Sequence, residues 1–507
     1  MSANRSVSLL AGLNVAAAVA SAATSALTAF LFGTSRAVEV YFAAATLYMM
    51  TVSLTQTGAV MDVFLPIYYR LKETRDALSA KAAFAVLLNW MVLLAGAAVA
   101  ALWLAAPAVI ALLVPGFGDA DQAQGVLYFR AVLPLVLLRV VAIQFLGLCN
   151  AERWYGLPES MTPLSQIASM VVLVAAAPAI GVWALVASLW TSQTLQLLAF
   201  IAVTYRFGYR HALRWSHPDF AFGEVMRQVG STYLYFGGTQ VYKFALSAAV
   251  SILPQGIYAV YNYVQTLNGK LQGTILRPVG VVFLTDASES VAKGGGRIQP
   301  GVVRAALLRA TAMVSLVVAL FAGGGRYALD VIWGHGKFSE TDLELAFVLT
   351  LFFLGLLYVT AMGLIARKLV AAMGRLGLLY LLMAAAQLVS ALAAWWLIGR
   401  FGFEGLLATL VVNAVATAGA ALLLGRRLTG WWAGYTWRDA LRWGGATAVA
   451  ATPFLLLPVF ETPSVLLEVL YGGALGAAAV ALFGVMAVLT GLVPAQTLLS
   501  WRPRRSA

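Results

Sequence analysis

The feature that most constrains this chain is a series of apolar runs, each long enough to cross a lipid bilayer. A spanning helix needs about 20 apolar residues, and about 14 such runs occur, from Leu9–Phe32 to Leu466–Leu489. The chain is 62% hydrophobic and only 10% charged, more apolar surface than a soluble domain can bury. The runs lack two-residue alternation, so their backbone groups are satisfied within helices and not in a barrel. The sequence therefore predicts an all-α polytopic membrane protein.

The positions of the apolar runs predict how the chain is divided. Spans are expected near residues 7–32, 37–66, 82–113, 126–149, 160–179, 182–205, 229–253, 257–284, 303–323, 343–366, 376–398, 405–425, 440–459 and 465–493. The longest polar connection, 206–228, predicts a cytoplasmic linker between six-helix lobes at 1–205 and 229–428. Residues 429–507 are expected to form two further helices and a basic tail.

The placement of positive charge predicts the orientation. The net charge is +13, which would suggest a nucleic-acid partner in a soluble protein but has another explanation here. Lys and Arg concentrate in the connections that follow even-numbered spans, for example at Arg70, Lys72, Arg206, Arg210, Arg367, Lys368, Arg426 and Arg427. Because basic segments stay on the cytoplasmic side during insertion, we expect a multi-pass protein of the bacterial inner membrane, with both termini cytoplasmic and no nucleic-acid partner.

An internal repeat predicts that the two lobes have the same orientation. The segment 40–47 (VYFAAATL) recurs at 260–267 (VYNYVQTL), and Phe117 and Asp121 recur as Phe338 and Asp342. Six spans separate equivalent points, and this even number favours parallel lobes related by an axis along the membrane normal.

Four spans carry polar side chains at steps that place each set on one helix face. The sets are Asn14, Ser21, Ser25 and Thr28; Thr46, Ser53 and Gln56; Gln240, Lys243, Ser247 and Ser251; and Tyr263, Thr266, Lys270, Thr274 and Arg277. Hydroxyl groups also serve close helix packing, whereas a lysine near mid-depth, as at Lys243 and Lys270, is costly unless it faces a wet cavity. With Arg277, these lysines predict a cationic central cavity suited to phosphate or diphosphate. Gln240, Thr266, Asn14, Ser53 and Gln56 complete its predicted lining.

Acidic residues and catalytic motifs are sparse. Asp62 and Glu39 are the candidates for coupling to a cation, although pairing with a basic neighbour is favoured because each lies near a membrane interface. The three histidines and Cys149 show no ligand spacing, and no Gly-rich phosphate loop follows a strand. We therefore expect neither a metal site nor a cofactor nor enzymatic activity.

Several motifs occur in an order typical of one transporter family. They are Phe32-Gly33 followed by residues 39–43 (EVYFA), Gly58-Ala59 through 64–66 (FLP), 114–117 (VPGF), Leu133-Pro134 through 148–151 (LCNA), 253–256 (LPQG) and 336–339 (GKFS). In these motifs the chain resembles the MurJ/MviN family of lipid II flippases, in the multidrug/oligosaccharidyl-lipid/polysaccharide exporter superfamily. The resemblance implies alternating access and translocation of a polyprenyl-diphosphate-linked saccharide, with the last two helices offering a groove for the lipid tail.

The chain departs from this family in its cavity charges. The arginines that the resemblance implies would fall at about Ala18, Thr24, Val52 and Thr266, and the acidic residue would fall at Ser25. We hypothesise that Lys243 and Lys270 supply the missing charge from other positions. The saccharide substrate is then either lipid II or a related glycolipid of exopolysaccharide or cell-wall synthesis.

Two other functions fit parts of the sequence. A cation-coupled exporter of small drugs would use Asp62 or Glu39 as its carboxylate. A non-transporting scaffold for envelope assembly would fit the loss of the arginines. The expected partners of a flippase are the lipid-linked saccharide, membrane lipids and envelope glycosyltransferases.

Overall fold

The chain folds into helices throughout the part that the structure describes. The computed structural model describes residues 3–55, 57–152, 154, 156–206, 208–294, 298–429, 437–460 and 464–492. The helices are α1 (Ala3–Phe32), α2 (Arg36–Leu54), α3 (Thr57–Thr74), α4 (Ala77–Leu113), α5 (Asp119–Val132), α6 (Leu135–Ala151), α7 (Gly156–Ile180), α8 (Trp183–Arg206), α9 (Phe222–Ser251), α10 (Ile257–Lys293), α11 (Pro300–Trp333), α12 (Glu340–Ala372), α13 (Leu376–Thr429), α14 (Trp437–Leu455) and α15 (Val465–Leu489).

Each predicted span coincides with helical structure. Within the described residues, nine helical segments are long and apolar enough to cross a membrane. Among the other helices are α9 and α10, which carry Lys243, Lys270 and Arg277. The two spans predicted at 376–398 and 405–425 form the single element α13, which changes direction at Gly402, where φ is +60°. The all-α membrane architecture is confirmed.

Two predicted spans are each built from two helices. The span at 126–149 is divided between α5 and α6 at Pro134, which has no N–H to donate to a preceding turn. The span at 37–66 is divided where α2 ends at Leu54. There the hydroxyls of Ser53 and Thr55 bond to the carbonyls of Met49 and Val52, a local alternative to regular helix bonding.

The chain forms two compact units, of which the first contains Met1–Ala259 and Gln387–Leu406. Within it, α9 packs against α2, α3 and α4, while α7 packs against α1 and α8. An aromatic core joins α3, α4 and α6, because Phe84 contacts Phe64 and Phe145, with ring centroids 6.2 and 6.0 Å apart.

The segment 208–221, here called the strap, is held against α3 and α4 of the first unit. Asn89 Nδ2 donates to the carbonyls of Ala212 and Arg214 at 3.2 and 2.8 Å, and Trp90 Nε1 donates to the carbonyl of Trp215 at 3.0 Å. Beyond these bonds, Tyr209 packs on Phe84 and Phe145, Phe220 packs on Phe64, and Arg75 pairs with Asp219. The predicted linker thus contains an ordered segment anchored on one unit. The boundaries predicted for the six-helix lobes stay a prediction.

The second unit contains Val260–Ala386 and Leu407–Ala507, and α11 is its central helix. It packs against α12, α14 and α15. Glycines allow the closest of these approaches: a Cβ added at Gly324 would overlap the carbonyl oxygen of Gly472, and one at Gly472 would lie 2.6 Å from the Cβ of Tyr327. Membrane helices commonly approach through such small residues, because removing side chains lets the backbones meet.

A half-buried ion pair joins the end of α3 to Glu152, the residue that follows α6. Lys72 Nζ lies 2.7 Å from Glu152 Oε2, and the Tyr68 hydroxyl donates to Glu152 Oε1 at 2.5 Å. Burial raises the pKa of the Glu152 carboxyl, but the hydrogen bonds from Lys72 and Tyr68 outweigh it, so the pKa lies below its usual range. The folded protein therefore stabilises the ionised carboxylate.

We expect Gly472→Ala to lower stability by about 1–3 kcal/mol, because the added methyl overpacks the α11–α15 contact. Gly473→Ala is the matched control on the same helix, since its Cβ would meet nothing within 4 Å. Thermal unfolding in detergent measures both variants. Equal midpoints for the two variants would show that the glycine contact is not tight.

We expect the Lys72–Glu152 pair to stabilise the protein at neutral pH and to lose its effect in acid. The folded-state pKa of Glu152 is lowered, so the stabilisation is present above the unfolded value of about 4.3 and disappears as the pH falls through the folded value. Lys72→Met should lower the melting temperature at pH 7 by about 2 °C and by less at pH 3.5. A loss of the same size at both pH values would contradict the assignment. Arg75→Met, which breaks an exposed pair with Asp219, is the control.

Candidate functional site

The polar face predicted on α9 divides between the interior and the surface of the first unit. Gln240 is 5% exposed, and its Oε1 has no hydrogen-bond partner among the described residues. Ser247 and Ser251 are also buried, and the Ser247 hydroxyl lies 2.5 Å from the hydroxyl of Tyr258. Lys243, in contrast, is exposed. The two serines therefore serve helix packing, and Lys243 presents its charge at the surface of the unit.

Lys243 lies well inside α9 and has no counter-charge among the described residues. It is eight residues before the end of α9, which places it about 12 Å from that end at 1.5 Å per residue. No carboxylate of the described residues forms an ion pair with it. An ammonium at such depth is costly in hydrocarbon. The presence of Lys243 there therefore favours contact of its ammonium with water or with an anionic ligand.

The polar face of α10 divides in the same way within the second unit. Tyr263 is buried against Trp333 and Phe338, with ring centroids 5.7 and 5.8 Å away. Thr266, Lys270 and Arg277 are exposed. The Thr266 hydroxyl bonds to a carbonyl of its own helix, that of Asn262, at 2.9 Å. The cationic residues Lys270 and Arg277 are therefore exposed, whereas Tyr263 on the same helix is buried.

The two basic residues of α10 lie at different depths. Lys270 is about 20 Å from the first residue of α10 and Arg277 about 30 Å, at 1.5 Å per residue. Neither forms an ion pair with a described carboxylate. A hydrocarbon core about 30 Å thick that is centred on the 37 residues of α10 would contain both residues, with Arg277 nearer the C-terminal end of the helix. The shared cavity that these residues are expected to line with Lys243 stays a prediction.

The polar faces of α1 and α2 contain mainly intrahelical hydrogen bonds. The Thr28 hydroxyl donates to the carbonyl of Thr24 at 2.8 Å, and that of Ser53 donates to Met49 at 2.8 Å. These bonds satisfy the hydroxyls within their own helices. Three predicted site residues lie outside what the structure describes: the side chains of Asn14 and Asp62, and the whole of Gln56.

Glu39 is buried at the junction of α2 and α10. Its Oε2 lies 2.8 Å from Arg36 Nη1, and its Oε1 accepts from the backbone N–H groups of Gly256 and Ala259 at 2.8 and 3.4 Å. A carboxylate at a helix N-terminus is stabilised by the free N–H groups and by the helix dipole. Glu39 therefore forms the pairing that the sequence analysis favours over cation coupling, and it fixes the start of α10 against α2.

The loop between α4 and α5 completes this junction. The guanidinium of Arg36 lies 4.5 Å from the ring centroid of Phe117, whose ring also contacts Tyr258 edge-on at 5.7 Å. Gly116 donates its N–H to the Ser251 hydroxyl at 3.2 Å, and a side chain at Gly116 would overlap the carbonyl of Ser251. The predicted motif at 114–117 thus holds the connection between α9 and α10, close to the helices that carry the lysines.

A buried polar network in α6, α7 and α8 was not part of the predicted site. Arg139 Nη1 donates to Gln196 Oε1 at 3.1 Å, and Gln196 Nε2 donates to the Ser165 hydroxyl at 2.8 Å. The spacing of Gln193 and Gln196 in an apolar run was the available signal. The network links three helices of the first unit and gives Arg139 a structural partner.

The chain is similar to known lipid flippases in sequence and in structure. The sequence profile of the family described as Lipid II flippase MurJ matches residues 28–474. The structure is similar to that of a lipid II flippase MurJ in an inward closed conformation, with a TM-score of 0.77, 12% identity, and coverage of 97% of this chain and 99% of that chain.

Transporters of the multidrug MATE family share the fold at lower similarity. An inward-facing MATE transporter of the MOP superfamily matches with a TM-score of 0.62 and 15% identity, over 81% of this chain and 94% of that chain. A eukaryotic MATE transporter matches with a TM-score of 0.55 and 14% identity, over 84% of this chain and 98% of that chain. At these identities the structural matches establish the fold alone. The profile match extends over most of the sequence, and the chain belongs to the lipid II flippase MurJ family.

Proposed function

We propose that this chain translocates a polyprenyl-diphosphate-linked saccharide, lipid II or a related glycolipid, across the bacterial inner membrane. The observation that carries the proposal is the pair of exposed lysines, Lys243 on α9 and Lys270 on α10, within a member of a lipid II flippase family. Both are ammonium groups on membrane helices, and neither has a carboxylate partner among the described residues.

A diphosphate is the anion that this arrangement suits best. Each lysine offers three rotatable N–H donors on a flexible stem, which can follow a phosphate as it moves. Charge-assisted hydrogen bonds to phosphate oxygens are about twice as strong as neutral ones. Since an unpaired ammonium is unfavourable in hydrocarbon, binding of the headgroup relieves a cost that the empty protein bears.

The proposal includes orientation and partners. Both termini lie in the cytoplasm, as the basic connections after even-numbered spans favour, and the headgroup crosses by alternating access. The lysines take the place of the arginines that the family resemblance implies at Ala18, Thr24, Val52 and Thr266. The saccharide comes from membrane-associated glycosyltransferases, which are the proposed protein partners.

We expect Lys243→Met combined with Lys270→Met to reduce flipping of a fluorescent polyprenyl-diphosphate saccharide in proteoliposomes by at least about tenfold. The reason is the loss of two charge-assisted contacts, each worth about 1.5–3 kcal/mol. Lys243→Arg combined with Lys270→Arg should retain a larger share of the activity because the charge remains.

Lys293→Met is the matched control for this experiment. Lys293 is the last residue of α10, is exposed, and pairs with Glu289 among the described residues, so its loss should leave flipping unchanged. Wild-type flipping in the double methionine variant, at an unchanged thermal midpoint, would refute the lysine site. Absence of flipping by the wild-type protein, together with trapped envelope enzymes in crosslinked cells, would favour the scaffold function.

Glu39→Gln is expected to act on stability and not on ion coupling. The substitution keeps an acceptor for the N–H of Gly256 but removes the ion pair with Arg36, at a cost of about 2 kcal/mol. A double-mutant cycle with Arg36→Met, followed by chemical unfolding, measures the interaction. If Glu39→Gln instead abolished a dependence of transport on proton or sodium gradients at unchanged stability, Glu39 would be a coupling residue. Asp62→Asn tests the other candidate in the same assay.

A further inference from the structure

An apolar groove lies between α10 and α11 of the second unit. Its volume is about 390 Å³, and its walls include Val282 and Phe283 from α10 and Ala306 and Met313 from α11. Val282 and Met313 are 49% and 42% exposed, so the groove opens at a surface that is itself apolar. An exposed apolar surface on a membrane helix pair is suited to contact with lipid chains. A volume of this size accommodates part of an acyl chain and not a whole lipid.

Two charged side chains of opposite sign also line the groove. Asp286 extends from α10 and Arg309 from α11, and both are exposed. They line one groove, yet they form no ion pair with each other or with any other described residue. Opposite charges that are left apart are complementary to a ligand that carries both signs.

The groove lies where a lipid headgroup is expected. Asp286 is 29 residues after the start of α10, or about 44 Å along the helix, and Arg309 is nine residues after the start of α11, or about 14 Å. With the orientation proposed above, both charges fall at the cytoplasmic edge of a hydrocarbon core about 30 Å thick. The apolar walls then extend from the headgroup level toward the acyl chains.

We propose that this groove binds a zwitterionic aminophospholipid, such as phosphatidylethanolamine, from the cytoplasmic leaflet. Arg309 receives the phosphate, Asp286 receives the primary ammonium, and one acyl chain lies along Val282 and Phe283. The guanidinium presents N–H donors to phosphate oxygens, and the carboxylate accepts N–H bonds from the ammonium. A choline headgroup has no N–H to donate, so the site distinguishes amino from trimethylammonium lipids.

The test measures lipid binding and does not depend on the flipped substrate. The delipidated full-length protein is titrated with phosphatidylethanolamine, its N,N-dimethyl derivative and phosphatidylcholine of identical chains, and binding is measured by native mass spectrometry. We expect phosphatidylethanolamine to bind about tenfold more tightly than phosphatidylcholine, which is the effect of one charge-assisted hydrogen bond. The dimethyl lipid, with one N–H, should be intermediate.

The variants assign each charge its role. Asp286→Asn should reduce the preference to less than about twofold, whereas Arg309→Met should weaken both lipids equally and keep the preference. Arg304→Met, an exposed arginine of the same helix outside the groove lining, should change neither.

Three outcomes would overturn the proposal. They are equal binding of the three lipids by the wild-type protein, a preference that survives Asp286→Asn, and a tighter binding of phosphatidylglycerol, which would indicate an anionic lipid instead. Thermal midpoints of the variants in detergent show whether each one is folded. A failure of this test leaves the flippase proposal intact, because flipping is measured separately.

Discussion

The structure depends on the requirement that backbone polar groups in hydrocarbon be hydrogen-bonded within their own segment. This requirement makes every long apolar run a helix, and it extends to the side chains that the helices carry. Most hydroxyls of the spans, such as those of Thr28 and Ser53, bond to a carbonyl one turn earlier. Some larger polar groups find partners across helices, as Arg139 does with Gln196, whereas the side-chain oxygen of Gln240 has no hydrogen-bond partner among the described residues. Lys243 and Lys270 differ from the hydroxyls, because their charged groups are exposed and have no carboxylate partner among the described residues.

Helix contacts in such a chain are decided by small residues and by a few buried charges. The hydrophobic effect does not hold membrane helices together in lipid, so close approach and polar contacts carry the specificity. Gly324 and Gly472 bring α11 and α15 together, and Glu39 bonds the start of α10 to α2. The C-terminal helix α15 is thereby an integral part of the second unit. The strap at 208–221 is mostly exposed, but Tyr209 and Phe220 are buried and anchor it on the first unit.

Much of the fold could be predicted, because the hydropathy of each segment indicates whether lipid or water surrounds it. The predicted spans coincide with helices, and Glu39 pairs with a basic neighbour, as its predicted place near a membrane interface favoured. The interruption of the second span near Thr55 was not expected, because its Ser and Thr hydroxyls lower the hydropathy of the run too little to divide it. The predicted polar face of α9 contains both buried and exposed residues: Gln240, Ser247 and Ser251 are buried, whereas Lys243 is exposed. A helical spacing shows which residues share a face but not what covers that face.

The sequence by itself determined the membrane class, the helices and the membership of a flippase family, since these follow from apolar length, charge placement and the order of motifs. Only the tertiary structure decided which polar residues are buried in helix contacts and which are exposed and can bind a ligand. It separated Ser247 from Lys243 on α9, and it brought Asp286 and Arg309 to one groove. The physical reason is that the burial and the pairing of a residue depend on neighbours that are distant from it in the chain. No spacing within a single helix specifies them.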